Sequence, residues 1–256
     1  MRTPKTKCLF NCNSEVQMPS VNVSTDDLFH LGGYVTKGYC VITVFCLFFN
    51  AILVAVTIKT PQLRSICNVL IAIQAVADFI FNSCSISSTY IITRGELITD
   101  RECYFTNFVF FYAMNWTTLL MFWIGLDRLL SVKYAAWYLK LGFNSYLTFI
   151  LGSCLLYSNL IMVLGYFTLE DELQFCTLSF SFNGLARNVW NACQSGLNVA
   201  GIIVYSILKR EIKKQVFNSE ATKQMIKSVY TITVLYMLGW GTLMVAISVA
   251  KVLVER

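Results

Sequence analysis

Residues 41–58 read VITVFCLFFNAILVAVTI, a stretch with no charged side chain and a single amide, Asn50. Laid as an α-helix at 1.5 Å per residue, about 20 such residues cross a hydrocarbon core of roughly 30 Å. Polarity does not alternate along it, so it does not read as a strand of an outer-membrane barrel. An open sheet in lipid would leave backbone groups unpaired, which leaves the helix. Residues 149–167, FILGSCLLYSNLIMVLGYF, repeat the pattern. Working outward from these two, apolar runs fall at about 38–58, 67–92, 104–127, 146–168, 188–208 and 226–250. The expected fold is all-α, a transmembrane helical bundle with six spans visible.

Composition agrees. The 256 residues are 56% hydrophobic and 13% charged, where soluble domains carry about 25% charge, and the mean hydropathy is +0.61. The net charge of +6 sits in short loops and not on a continuous stripe, so it bears on membrane topology and argues against nucleic acid as a partner. Residues 1–30 mix Arg2, Lys5, Lys7, Asp26 and Asp27 with no apolar core, so no cleavable signal is expected and the first span directs insertion. His30 is the only histidine, G-x-S-x-G and H-E-x-x-H are absent, and Asp78 has no second deep carboxylate beside it; neither an enzyme, a metal site nor a cofactor is expected.

Lysine and arginine mark the cytoplasmic side. They dominate the loops after the first span (Lys59, Arg64), the third (Arg128, Lys133, Lys140) and the fifth (Lys209, Arg210, Lys213, Lys214, Lys223, Lys227). The alternate loops hold Glu96, Asp100 and Glu102 against Arg94 and Arg101, then Glu170, Asp171 and Glu172 against Arg187. This places an N-terminal segment, 1–37, outside a multi-pass protein of the cell membrane, with Asn22 of Asn22-Val23-Ser24 open to glycosylation. The triplet Asn115-Trp116-Thr117 lies inside the third span and should stay unmodified. Residues 251–256 then fall outside, directly after a span.

A carboxylate at mid-bilayer costs about 2.5–3.5 kcal/mol on insertion scales. Asp78 sits half-way through the second span and Asn50 half-way through the first. They read either as a pair that holds two helices together or as a buried site whose protonation or ion occupancy shifts the bundle. Asp127-Arg128-Leu129 ends the third span, and Cys103 begins it on the outer side. A disulfide from Cys103 to Cys176, alone in the next outer loop, would tie the top of that span to the loop in an oxidising compartment. Most of the other cysteines read as small hydrophobes. A transporter or channel is the rival class, although its usual broken helices and repeats do not show clearly.

Over about residues 38–250 the chain resembles the rhodopsin-like G-protein-coupled receptors. Asn50 with Val54 resembles G-N-x-x-V, with Phe49 for the glycine; Asp78 in AVAD resembles L-x-x-x-D; Asp127-Arg128-Leu129 resembles D-R-Y with Leu for Tyr. Tyr205 resembles the fifth-helix tyrosine that meets the arginine in the active state, and Tyr236 with Trp240 the sixth-helix toggle. The departures are as plain. The only prolines are Pro4, Pro19 and Pro61, so helices five and six lack their kinking prolines, with Leu197 and Thr242 near those places. Span four lacks its tryptophan, and a seventh helix with N-P-x-x-Y is missing from these residues. Leu63-Arg64-Ser65-Ile66-Cys67-Asn68, the D-R-L and Gly239-Trp240 are similar to nematode serpentine chemoreceptors of the SX class.

The resemblance implies a chemosensory or peptide/small-molecule receptor that passes ligand binding to a heterotrimeric G protein through Asp127, Arg128 and Tyr205. It implies that Arg128 pairs with Asp127 at rest and reaches toward Tyr205 when active. A buried polar network of Asn50, Asp78 and Thr117 and a pocket of Phe110, Met114, Trp190, Cys193, Gln194 and Trp240 follow from it. Phe110 stands where an amine-binding aspartate would be, so the extracellular ligand is not expected to be a biogenic amine. An isoform or fragment without the seventh helix would be non-signalling.

Overall fold

The computed structural model describes residues 25–61, 65–94, 98–170, 173–174, 176 and 182–214, with Gly239. The sixth expected span at 226–250, with Tyr236 and Trp240, lies outside the described residues, as does Asn22. In chain order the elements are α1 (Thr25–Lys59), α2 (Ile66–Arg94), β1 (Ile98–Thr99), α3 (Asp100–Lys133), α4 (Ala135–Tyr138), α5 (Phe143–Phe167), β2 (Leu173–Gln174) and α6 (Gly184–Lys214). The fold is all-helical apart from the antiparallel ribbon of β1 and β2, registered Ile98 to Gln174 and Thr99 to Leu173.

Cys40–Lys59 of α1, Ile66–Ile91 of α2, α3 and α5 are each long and apolar enough to cross a membrane. Their outer faces carry Val44, Phe45, Phe48 and Phe49 on α1 and Leu155, Leu156, Leu160 and Val163 on α5, all exposed. Side chains of that kind are at home against hydrocarbon. The fifth expected span, 188–208, falls within α6, whose apolar character is diluted by Gln194 and Asn198. Those two amides are buried, while Val199, Ile202 and Ile203 face outward.

The helices outrun the apolar runs that announced them. α1 begins at Thr25, not near 38, and α6 extends beyond 188–208 at both ends. Hydropathy marks where lipid contact stops, whereas the hydrogen-bond ladder stops only where capping or a turn breaks it. For α3 the start is set by a capping box: the Thr99 hydroxyl accepts from the Glu102 N–H, and the Glu102 carboxylate accepts from the Thr99 N–H. Gly184, with φ of 51°, supplies the left-handed residue from which α6 departs.

Among the described elements α3 is the central helix. It packs on α2, α5 and α6, while α1 leans on α2 alone among the major contacts. The most apolar window of α3 is 56% buried and that of α1 only 6%. Lipid tails are as apolar as leucine, so hydrophobic burial does little to join helices in a bilayer, and packing with scattered polar contacts does it instead. Ser85 donates to Thr43 at 2.9 Å and Cys40 shares a hydrogen with Thr89 at 3.1 Å between α1 and α2. Trp123 donates to Ser153 at 2.8 Å, and the Tyr104 hydroxyl donates to the Met162 carbonyl at 2.8 Å, between α3 and α5.

Candidate functional site

Because α3 is central and unbroken, its buried stripe joins three tiers of side chains, from the Cys103 end to the Arg128 end.

At the first tier Cys103 is bonded to Cys176, with Cα atoms 5.3 Å apart. The Asn107 amide, one turn along, donates to Cys176 Sγ at 3.2 Å and to Cys103 Sγ at 3.5 Å, and its oxygen accepts from Cys84 of α2 at 3.5 Å. The far end of the loop is held too. Asn183 donates to the Asp100 carboxylate, and Arg187 donates to Asn183 Oδ1 at 2.7 Å and to the Phe182 carbonyl at 2.6 Å. These contacts drive the Phe182 ring into the bundle, 4.3 Å from that of Phe111 and directly over Gly165.

A Cβ on Gly165 would lie 2.2 Å from Phe182 Cε1, closer than any real contact. Gly165→Val is therefore expected to expel the ring and destabilise the receptor by about 1–3 kcal/mol, the usual cost of overpacking. A fluorescence-detected thermal melt against the parent checks this, and an unchanged midpoint would show that the ring is not seated there.

The second tier is aromatic with an amide centre. Phe111, Met114, Ile161, Met162, Phe182 and Trp190 form one buried cluster, and Cys193 packs at its edge. Trp190 Nε1 and Gln194 Nε2 both donate to Asn115 Oδ1, each at 3.2 Å. Asn115 and Gln194 are fully buried. Thus Met114, Trp190, Cys193 and Gln194 come together, while Phe110 lies half-buried on α3 outside the cluster.

At the third tier the buried Asp127 carboxylate accepts from the Tyr138 hydroxyl at 2.8 Å. Burial, and then that carboxylate, push the Tyr138 phenol far above its ordinary range, so it stays protonated and remains the donor. Arg128 donates to Asn68 of α2 at 3.4 Å, and its Nε is buried without a partner. The closest hydrogen bonds of acid and base thus go to different helices, yet the two side chains still act on each other electrostatically and both reach Cys67 of α2. Tyr205 of α6 lies buried against α3, its hydroxyl donating to the Met121 carbonyl at 3.3 Å. Its ring covers Gly125, where an added Cβ would stand 2.6 Å from Tyr205 Cε2. Only glycine admits the ring at that point.

Among the described residues no hydrogen bond joins Asp78 to Asn50. The Asp78 carboxylate accepts from Gln74 of its own helix at 3.3 and 3.4 Å, and Asn50 is not among its partners. Thr117 donates to the Met114 carbonyl of α3 at 2.8 Å. Two polar residues at equal depth can face different ways, because depth does not fix rotation about the helix axis. Asn107, Asn115, Gly125 and Tyr138 carry roles that sequence reading did not assign. The spacing of Gln74 and Asp78, four apart on one helix face, was a signal available for that pair.

Among the described residues no group of three or more His, Cys, Asp or Glu is placed to hold a metal ion.

No curated protein matches the chain. The family model of the serpentine-type seven-transmembrane chemoreceptor Srsx matches residues 43–256, which takes in the three tiers and every described helix from the middle of α1 onward. On that match the chain belongs to the Srsx family of serpentine G-protein-coupled chemoreceptors, multi-pass membrane receptors and not enzymes.

Proposed function

We propose that this receptor sits in the cell membrane with its N-terminus and the Cys103–Cys176 bridge outside and the Asp127–Arg128 end in the cytosol. A ligand, not a biogenic amine, lodges against Met114, Trp190, Cys193 and Gln194, with Phe110 and, as the resemblance implies, Trp240 contributing. Its binding shifts the balance of packings so that Arg128 turns toward Tyr205 and a heterotrimeric G protein docks beside it. A ligand shifts such a balance only by binding the two packings unequally.

The observation that carries this reading is the unbroken central α3, with a disulfide at one end and a loosely held arginine at the other. A disulfide belongs to the oxidising side. The basic loops after α1, α3 and α6 belong to the cytosol by the bias of lysine and arginine. Topology is tested with one epitope tag before Met1 and another after Leu141. On intact cells antibody should reach the first, and the second only after permeabilisation. The reverse pattern would end the proposal. Loss of a glycan on Asn22→Gln would place the N-terminus independently.

A further inference from the structure

Asn115 Oδ1 takes two hydrogen bonds, yet the other half of the same amide is unsatisfied. Asn115 Nδ2 is buried with no partner, and so is Gln194 Oε1, the acceptor of the side chain that donates to Asn115. A free donor and a free acceptor thus belong to two buried side chains that are bonded to each other, one on α3 and one on α6. Leaving one such buried group unmet costs about 1–3 kcal/mol. Two together form a site for a group that accepts and donates at once.

Charge decides which group. From Cys103 to Leu126, over the whole of α5, and from Asn188 to Leu208 there is no charged residue, and residues 231–250 contain none either. The one acid at comparable depth, Asp78, takes its hydrogen bonds from Gln74. An ammonium or carboxylate brought here would meet amides and aromatic rings and no counter-ion, at a cost far above that of a neutral group.

We infer that Asn115 and Gln194 together read an uncharged head group that donates and accepts, an alcohol or a carboxamide, on a ligand whose apolar body lies against Phe111, Met114 and Trp190. The inference rests on the ligand site proposed above and names the chemistry it selects. The Asn115 amide donates to the ligand oxygen, and the ligand O–H or N–H donates to Gln194 Oε1. The Trp190 and Gln194 bonds to Asn115 Oδ1 hold the pair in register.

The test uses the purified full chain and five compounds that share a phenyl body: phenethyl alcohol, phenylacetamide, phenethylamine, phenylacetate and ethylbenzene. Each is titrated while thermal unfolding is followed, and shifts are referred to each variant's own midpoint. The alcohol and the amide should stabilise the parent receptor, and the other three should not. Asn115→Asp keeps an acceptor for Trp190 and Gln194 but replaces the free donor with an anionic acceptor. In that variant phenylacetamide should weaken about tenfold, the worth of one hydrogen bond, and phenethylamine should gain.

The inference is overturned if the amine, acid or hydrocarbon binds the parent as well as the neutral pair. It fails equally if Asn115→Asp leaves the ranking unchanged. Absence of any discrimination among the five would mean that the two amides only join helices. A chain that passes the tag-accessibility test and still ranks the amine first loses this inference alone, whereas reversed tag accessibility removes the receptor reading beneath it.

Discussion

In a version of the receptor that carries a seventh helix, Arg128→Ala is expected to abolish G-protein activation while the receptor still reaches the cell surface in normal amount. The expectation of normal delivery comes from how little the guanidinium holds in place. Its bond to Asn68 is long, at 3.4 Å, its Nε has no partner, and the carboxylate beside it is taken by Tyr138. Removing a buried partner of an ion pair is severe because it strands a charge. Here the nearby Asp127 carboxylate keeps its bond from Tyr138, and the alanine variant relieves an unmet donor.

What is lost is a cation free to move. An arginine that anchors an interface contributes about 2 kcal/mol or more, which is about a thirtyfold loss of coupling. Arg128→Lys should recover part of it, since lysine keeps the charge but not the planar fork of donors. Nucleotide exchange on the G protein, set against surface antibody binding, gives the measurement. Full signalling by the alanine variant at matched surface level would remove Arg128 from the coupling scheme.

The second large effect is expected at the opposite end of α3. Cys103→Ser should lower surface delivery several-fold, and Cys176→Ser should do the same. Loss of a native bridge typically costs about 2–4 kcal/mol, and a shift of that size changes cellular abundance several-fold. The bridge spans 73 residues of chain and holds the loop that inserts Phe182 between α3 and α5. Its loss also deprives the Asn107 amide of the sulfur pair it now faces. Since one bond is broken in either single variant, the double variant should be no worse than each alone. Additive losses would mean that the two thiols act separately.

The helices could be read in the sequence because a span must be apolar over its whole length, and no packing detail alters that requirement. Their ends could not, since α1 continues as helix through Lys37 and Tyr34, where composition has already turned polar. The start of α3 is an exception, since Thr99-x-x-Glu102 is the sequence form of a capping box. Asn115 shows the opposite case. In the sequence it is part of an N-x-T triplet, and its importance depends on Trp190 and Gln194, 75 and 79 residues away. The hydrogen bond that Asp127 takes is equally tertiary, donated by Tyr138 on α4, a four-residue helix too short to show a period. The family resemblance marked Asp127 and Arg128 but neither Asn115 nor Tyr138, because which partner a residue takes is decided by helix rotation, which a linear string does not record.

α6 runs through Leu197, where related receptors bend at a proline, without interruption from Gly184 to Lys214. A helix without a break has no elbow in which to absorb a push. Force applied near Trp190 must reappear at the other end, and the Tyr205 ring seated on Gly125 is a natural fulcrum. At 1.5 Å per residue the arms are about 22 Å toward Trp190 and about 14 Å toward Lys214, so a rocking of about 5° displaces their tips by about 2 Å and about 1 Å in opposite directions. On the signalling scheme proposed above, such a seesaw would convert a small adjustment around a bound molecule into a shift of the basic tip of α6.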